Sequence, residues 1–269
     1  MIKQALIGVL ATTLLCSCSR SISDEHKEFW AINNSREWSL KLDDSCRGDW
    51  QENWFLDGLI ATVDNSDKGM DFVSGPEFRN DAHHAVLWTK ESFEGDVKIE
   101  YTYTRTDEQT INVNILYIQA QGVGEGVYDK DISKWSDLRT TPTMSIYYKY
   151  MNPLHISYAA FPMVNEDPEN DYLRVRKYPI DEDVSFHDIE VEPTFFKIGL
   201  FKSHIPYKIT VIKTDARLFM RVEGDGKRQL YRWDVSDKAK LEEGRIGLRQ
   251  MYTRAARYND FKVYTKKAE

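Results

Sequence analysis

The amino-acid sequence predicts an all-β fold, an antiparallel β-sandwich formed by one domain. Three features indicate it: short segments in which apolar and polar residues alternate, polar turn residues between those segments, and no convincing long amphipathic helix. Alternation with a period of two is typical of a strand that has one face in a core. At 269 residues the chain is long for one domain but within the range of all-β domains.

Residues 1–18 have the pattern of an export signal. A lysine lies near the start, residues 5–15 are apolar, and small residues precede Cys18. Residues 15–18 resemble a bacterial lipobox, in which the last cysteine becomes the lipidated first residue of the mature chain. The sequence therefore predicts an exported lipoprotein of a Gram-negative-type bacterium, anchored by lipid on Cys18 and located in the periplasm, at the outer membrane or at the cell surface. The alternative is an ordinary signal peptide cut nearby.

Residues 19–37 are polar and are predicted to tether the β domain, residues 38–269, to the lipid. If Cys16 leaves with the signal and Cys18 carries the lipid, Cys46 is the one remaining thiol. A single thiol cannot form an internal disulfide, so the fold is expected to depend on none.

The composition restricts the classes of molecule that the protein is expected to bind. A net charge of -7 argues against nucleic acid, whose phosphates require a basic face. Seven Trp and fifteen Tyr are many for a soluble chain. Such rings often stack on sugars, although core packing alone could also use them.

The strands follow in chain order. Apolar and polar residues alternate in residues 96–106 and in residues 110–122, which indicates two strands. The pattern of residues 207–226 indicates a hairpin that is followed by a second turn at Gly224-Asp225-Gly226. Residues 163–190 are irregular and acidic, and they are expected to form a lid or rim.

The last strands carry a resemblance to known proteins. The segment "GRIGLRQMYTRAARYNDFKVYTK" looks like the end of concanavalin A-like lectin/glucanase domains. Over residues 50–265 the chain resembles the YesU-like family, long catalogued as a domain of unknown function. The motifs that carry this resemblance occur in order: His84–Trp88 with Glu91-Ser92-Phe93, Arg139-Thr140, Asn152-x-Leu154-His155-x-Ser157-Tyr158, Gly247-x-Arg249-Gln250-Met251 and Asp260-Phe261.

The resemblance implies a single-domain concanavalin A-like β-jelly roll with one concave face. It also implies a setting among genes that degrade uronic-acid polysaccharides such as pectin and ulvan. Some relatives look like enzymes that eliminate water or a sugar from a uronic acid. The expected function is therefore that of a lyase, either an oligosaccharide dehydratase or a polysaccharide lyase, with an acidic oligo- or polysaccharide as partner.

Such an elimination removes the proton at C5 of a uronic acid and expels the oxygen at C4. It requires a base, an acid for the leaving oxygen, and donors that stabilise charge on the carboxylate. No organic cofactor is required. His and Tyr suit the first two roles, and Arg, Gln or Asn suit the third.

Candidate acids and bases are the residues that combine this chemistry with the family motifs: His84, His155, Tyr117 and Tyr158. His84 should share a strand face with Val86 and Trp88, while His83 points the other way. His155 and Tyr158 should face opposite ways unless a bulge intervenes. The alternative for each histidine is a structural role.

Candidate substrate-binding residues are polar or aromatic groups at neighbouring positions: Arg249, Gln119, Arg139, Gln121, Trp88 and Gln250. Tyr117, Gln119 and Gln121 alternate and are expected to form one row. Arg249 is the preferred carboxylate clamp because its planar fork binds both oxygens, and Gln250 should face the other way. Arg139 could grip the sugar or hold a loop, and Arg174 with Arg176 form a basic patch.

Two alternative functions remain open. One is a carbohydrate-binding lipoprotein without catalysis. Another is a jelly-roll glycoside hydrolase that uses Asp188, Glu190 and Glu192 at strand spacing. For metals, the acidic loops could hold a structural Ca²⁺, but no spacing matches a defined calcium loop, and a zinc site is less favoured.

Overall fold

The computed structural model describes residues 22–267, which form two antiparallel sheets packed face to face. The first strands are β1 (Ser39–Asp44), β2 (Trp54–Asp57), β3 (Thr62–Ser66), β4 (Gly69–Val73), β5 (Ala85–Thr89), β6 (Phe93–Glu94), β7 (Asp96–Arg105) and β8 (Asn114–Ala120). The others are β9 (Leu154–Ala160), β10 (Tyr172–Lys177), β11 (Glu190–Phe196), β12 (Pro206–Lys213), β13 (Arg217–Gly224), β14 (Lys227–Asp234), β15 (Glu243–Gln250) and β16 (Ala255–Lys266). The helices are α1 (Ile22–Asn33) and α2 (Met144–Tyr150), with 3₁₀ turns at Trp50–Glu52, Asp81–His83 and Ile132–Arg139.

The two sheets define a jelly-roll sandwich, and the all-β prediction is confirmed. The back sheet has the order β14-β13-β12-β7-β16-β4-β3, with β1 paired to β16. The cleft sheet has the order β11-β10-β9-β8-β15-β5-β2, with β6 paired to β15. Strands that are neighbours in a sheet are often distant in the chain, so non-local pairing determines the fold.

The core lies between the sheets and follows the alternation of the sequence. On β7 the residues predicted to share the apolar face are all buried there: Val97, Ile99, Tyr101 and Tyr103. The predicted hairpin is formed by β12, β13 and β14, which pair in continuous register. Burial of these side chains follows the hydrophobic pattern, with each large aliphatic residue contributing about 1.5–3 kcal/mol.

The cleft sheet is covered on its outer face as well. A second apolar cluster lies there, under the segment 121–153 that contains α2. Consequently β5, β8 and β9 are buried along their whole length. The sequence cannot reveal this from periodicity, because a strand buried on both faces loses the contrast between them.

The predicted tether contains a helix that belongs to the folded domain. Phe29 of α1 is buried against Phe219 on the outer face of the back sheet, with ring centroids 5.7 Å apart. Glu28 also pairs with Arg232 at 3.2 Å. Helix α1, which lies in the predicted tether, therefore packs on the folded domain.

The signal segment 1–18, with Cys16 and Cys18, lies outside the described residues. None of the helices within residues 22–267 is long and apolar enough to cross a membrane.

Candidate functional site

A cleft of about 1440 Å³ opens on the outer face of the cleft sheet. Its floor is formed by strand residues that include His155, Ser157 and Arg176, and its walls come from α2 and from residues 178–186. Of the side chains predicted to form the site, His155 alone lines this cleft.

Strand register brings the floor residues together. His155 on β9 is opposite Tyr117 on β8 and Arg176 on β10. Ser157 is opposite Ile115, which is itself opposite Arg249 on β15. Because residues two apart on a strand share a face, these side chains all point away from the inter-sheet core.

His155 is held between two hydroxyl groups. Its Nδ1 lies 2.6 Å from the Tyr178 hydroxyl, and its Nε2 lies 2.7 Å from the Ser157 hydroxyl. Burial, followed by the positive charges of Arg176 and Arg249, holds the pKa of His155 well below its usual range. The imidazole is therefore neutral at pH 7, and its two nitrogens fix one donor and one acceptor role.

Tyr178 is a candidate site residue that the sequence reasoning missed. It directly follows β10, and burial raises the pKa of its hydroxyl well above the ordinary value. The signal was present, since Arg174, Arg176 and Tyr178 stand at alternate positions and so share a face with the cleft.

Arg176 is the cation on the cleft floor that lies opposite His155 in the sheet. Its Nη2 donates to Glu190 at 2.7 Å, and Arg174 pairs with the same carboxylate at 3.1 Å. The Glu190 carboxylate thus forms ion pairs with two guanidinium groups, and the exposed His187 also lies 3.3 Å from it. The floor beside His155 therefore carries excess positive charge.

This arrangement also decides against the hydrolase alternative. Glu190 is bound by arginines on β10, while Asp188 precedes β11 and accepts from the Ser185 backbone at 3.1 Å. Glu192 is exposed and accepts from the Thr194 backbone. The row of carboxyl groups that retaining hydrolysis requires is not formed.

Arg249 lies below the cleft floor. It is fully buried, its Nη2 donates to the Pro142 carbonyl at 2.5 Å, and the guanidinium lies 4.5 Å from the centroid of the Tyr147 ring. Its Nη2 also lies 2.9 Å from His84 Nδ1. Arg249 therefore does not reach a ligand in the cleft directly, but its positive charge acts on His155 and Tyr178.

His84 is a buried structural histidine in this geometry, not a cleft residue. Its ring stacks on Tyr252 with centroids 4.7 Å apart. Burial and the neighbouring Arg249 lower the pKa of His84 to about 3. The contact of His84 with Arg249, which packs on Tyr147, places it on the outer face with Val86 and Trp88, while His83 approaches Glu77 at 3.2 Å.

We expect His84 to make stability depend on pH. Its folded-state pKa of about 3 lies below the ordinary 6.5, so below pH 6.5 the unfolded chain binds a proton that the folded chain does not. The contribution of His84 to the free energy of unfolding therefore falls as pH drops from about 6.5 to about 3, by up to about 1.4 kcal/mol per pH unit. In urea unfolding at several pH values, His84→Gln should flatten this slope and His204→Gln, an exposed control, should not. Equal slopes in all three proteins would contradict the prediction.

Asp57 organises the aromatic layer beneath the cleft. Its Oδ2 accepts from Trp88 Nε1 at 2.7 Å, Arg139 Nε at 2.6 Å and the Tyr147 hydroxyl at 3.0 Å. Tyr117 stacks between Trp88 and Tyr147, at 5.3 and 6.0 Å. Trp88, Arg139 and Tyr117 therefore support the floor and do not line the cleft, which corrects their predicted roles. The sequence predicts two alternative roles for Arg139, binding the sugar or holding a loop, and in the structure it holds a loop.

Tyr158 and Gln250 face the other way. Tyr158 is buried between the sheets, 3.3 Å from the Tyr258 hydroxyl. Gln250 donates to the same hydroxyl at 3.3 Å and accepts from Asn114 at 2.5 Å. The predicted opposition of His155 to Tyr158 and of Arg249 to Gln250 is confirmed, and it removes Tyr158 and Gln250 from the cleft.

The predicted row of Tyr117, Gln119 and Gln121 is broken. Gln119 has a φ of 51°, and the pairing of β15 with β8 shifts register at this point. This bulge turns the Gln119 amide to donate to the carbonyls of Phe93 and Gly95, both at 2.9 Å. Gln121 is half-buried and does not line the cleft.

Within residues 22–267 no group of three or more His, Cys, Asp or Glu side chains could hold a metal ion. The structure therefore names no residues for the predicted calcium site.

The fold and the cleft define a concanavalin A-like jelly roll. Similar structures include a protein of unknown function with a galectin-like fold from Bacillus subtilis, 20% identical, covering 87% of this chain and 99% of that chain, with a TM-score of 0.61. The VIP36 exoplasmic/lumenal domain in its Ca²⁺/Man3GlcNAc-bound form is 12% identical, covering 86% and 91%, with a TM-score of 0.54. The legume lectin-like domain from Entamoeba histolytica is 6% identical, covering 84% and 96%, with a TM-score of 0.53.

The family follows from the sequence itself. A family model described as a domain of unknown function, DUF1961, matches residues 48–263, and the chain belongs to that family. No match was found among curated proteins.

Proposed function

We propose that this protein is a carbon–oxygen lyase that carries out β-elimination on a uronic-acid-containing saccharide bound in the cleft. One observation carries the proposal: His155 Nδ1 lies 2.6 Å from the Tyr178 hydroxyl on a cleft wall beside Arg176. A proton-transfer pair next to a buried cation is the combination that elimination from a uronic acid requires.

The pair works best as a relay. Because burial raises the pKa of Tyr178, a free tyrosinate does not form at neutral pH. The hydroxyl oxygen can take the C5 proton of the sugar only while its own proton passes to His155 Nδ1. Electrons from the C5–H bond then form the C4=C5 double bond, and the C4–O bond breaks. The relay returns one proton to the departing oxygen, so the protein ends as it began and the substrate loses water or a sugar.

The arginines provide the electrostatic stabilisation that the elimination requires. A uronate carboxylate beside Arg176 would meet excess positive charge, because Glu190 already serves both Arg174 and Arg176. Charge that develops on the carboxylate as C5 loses its proton would be stabilised there. The same carboxylate would offset the positive field on His155 and so raise its proton affinity when substrate is bound.

The saccharide class rests on two kinds of support. The VIP36 domain was solved with Man3GlcNAc, and the legume lectin-like domain shares this architecture. The sequence motifs resemble those of the YesU-like family, which implies uronic-acid polysaccharides such as pectin and ulvan. Fold alone does not transfer function, so the site carries the argument.

A second candidate is a carbohydrate-binding protein without catalysis. The lectin-like neighbours favour it, and so does the resting state of His155, in which both ring nitrogens already have partners. In that case the same cleft would bind an acidic saccharide through Arg176 without changing it.

One screen separates these functions. The purified protein is incubated with pectin and ulvan oligosaccharides, followed by ultraviolet absorbance and mass spectrometry. Elimination creates a double bond conjugated with the carboxyl, so absorbance rises. A mass lower by one water indicates a dehydratase, and chain scission with absorbance indicates a polysaccharide lyase. Scission without absorbance would indicate hydrolysis, and binding without product would leave the binding protein.

We also propose that the protein is exported and anchored by lipid on Cys18. The expected result is that the wild-type protein fractionates with membranes and that Cys18→Ala is released. Recovery of both proteins in the same fraction would contradict the anchor.

A further inference from the structure

Two buried lysines face each other at the end of the sandwich that adjoins the cleft. Lys177 ends β10 in the cleft sheet, and Lys213 ends β12 in the back sheet. Their exposed fractions are only 9% and 2%. Lysine is almost never fully buried unless it is paired.

Their partners are neutral. The Lys177 ammonium donates to Asn152 Oδ1 and to the Tyr178 carbonyl, and the Lys213 ammonium donates to the Leu241 carbonyl. Within the described part of the chain neither forms an ion pair with a carboxylate.

Two of the nearby acids are already paired with other lysines, and a third, Glu242, also raises the proton affinity of Lys213. Asp215 is 2.5 Å from Lys240, and Asp96 is 3.6 Å from Lys266. Both acids act on Lys213 from a distance and raise its proton affinity, but burial outweighs them and its pKa is lowered. Neither acid affects the pKa of Lys177, which is lowered by burial and by the charge of Lys213.

The pair is therefore electrostatically unfavourable without a further charge. Burial, and then the positive charge of Lys213, lower the pKa of Lys177 to about 8. Two of the fully buried arginines do have a carboxylate partner, since Arg139 pairs with Asp57 at 2.6 Å and Arg254 with Asp107 at 3.0 Å, whereas the buried Arg249 donates to the Pro142 carbonyl. Burying a charge with no opposite charge costs several kcal/mol. An anion between the two ammonium groups would offset that cost.

The space between them suits one oxygen atom. A cavity of about 10 Å³ is lined by these two lysines, by Lys238, and by Lys240 with its ion-pair partner Asp215, so lysines outnumber carboxylates four to one. The cavity volume is about what one water-sized group occupies. Lys177 and Ala239 line both this cavity and the cleft, so a group seated in the cleft could extend one oxygen into the cavity.

We propose that Lys177 and Lys213 form a subsite for an oxyanion carried by the saccharide. This inference rests on the proposed function for the identity of the ligand: the oxyanion would be a sulfate ester or a second carboxylate on the sugar next to the one that reacts. Because Lys177 and Ala239 line both spaces, the subsite adjoins the cleft that contains the proton-transfer pair. The substrate would then be a saccharide with anionic groups on successive sugars.

The first test measures anion binding without turnover. Inorganic sulfate and acetate are titrated into the full-length protein by calorimetry, with sodium chloride holding the ionic strength constant. We expect saturable binding of one of them, weakened at least tenfold in Lys177→Met and unchanged in Lys202→Met. Lys202 is an exposed lysine paired with Asp225 and is the matched control. Preference for sulfate indicates a sulfate ester, and preference for acetate a second carboxylate. Equal binding to wild type and Lys177→Met, or no saturable binding of either anion, would overturn the subsite.

The second test uses saccharides and separates the two proposals. On an oligosaccharide with an anionic group beside the uronate, Lys177→Met should raise KM at least tenfold with little change in kcat. On the matching neutral-flank oligosaccharide it should change neither. Lys238→Met, at the edge of the cavity, should show a smaller rise in KM and guards against misfolding of the first variant. An unchanged KM would overturn the subsite while elimination stands. Sulfate or acetate binding without any elimination would retain the subsite and refute the lyase.

Discussion

Replacing Tyr178 with Phe is expected to lower kcat for elimination by about 10²- to 10⁴-fold, the usual contribution of a positioned acid–base group. The substitution removes one hydroxyl and leaves the ring, which packs against Tyr148 and Phe186 in the cleft wall. KM should change little, because Arg176 and the remaining cleft are untouched. His155→Gln should lower kcat comparably, since the relay needs both members.

Tyr158→Phe is the matched control for this prediction. It removes the same atom from a tyrosine that the sequence also nominated, but Tyr158 lies between the sheets against Tyr258. We expect its kcat to equal that of the wild type. Loss of activity in Tyr158→Phe with retention in Tyr178→Phe would reverse the assignment and restore the original candidate.

The contrast between these two tyrosines shows what the sequence could predict. Alternation correctly placed His155 and Tyr158 on opposite faces, and Arg249 and Gln250 likewise. It could not say which face carries the cleft, because β8 and β9 are buried on both. Periodicity reports a contrast between faces, and here long-range packing by the segment 121–153 removes it.

Other errors have local causes. Gln119 does not lie in its predicted row, because its own backbone is left-handed and rotates the side chain away. No glycine stands at this position to indicate the bulge in the sequence. The acidic composition of residues 163–190 predicts an irregular segment, so it hides β10 and indicates only a basic patch of Arg174 and Arg176, without Tyr178. Predicting the site needed the pairing of β10 with β9, which brings Arg176 opposite His155.

Replacing Asp57 with Ala is expected to lower the free energy of unfolding by about 3–5 kcal/mol, the range for removing one partner of a buried ion pair. The Arg139 guanidinium would keep its charge with no acceptor carboxylate, because its other partners are the carbonyls of Trp135 and Ile132. Trp88 and Tyr147 would also lose an acceptor. Since Tyr147 lies on α2 and Arg139 ends the 3₁₀ turn, the cleft wall should loosen and saccharide binding should weaken. Urea unfolding followed by tryptophan fluorescence measures the stability change.

A double substitution distinguishes loss of the pair from loss of packing. Asp57→Ala combined with Arg139→Met removes both charges, so part of the stability should return relative to Asp57→Ala alone. Asp71→Ala is the control, because Asp71 binds Arg257 through two hydrogen bonds of 2.9 and 2.8 Å but at a half-buried position of the back sheet. Its cost should stay near or below about 1 kcal/mol. If Asp57→Ala were as mild as Asp71→Ala, or the double variant were less stable than the single one, Asp57 would not be the charge that holds the cleft wall to the sheet.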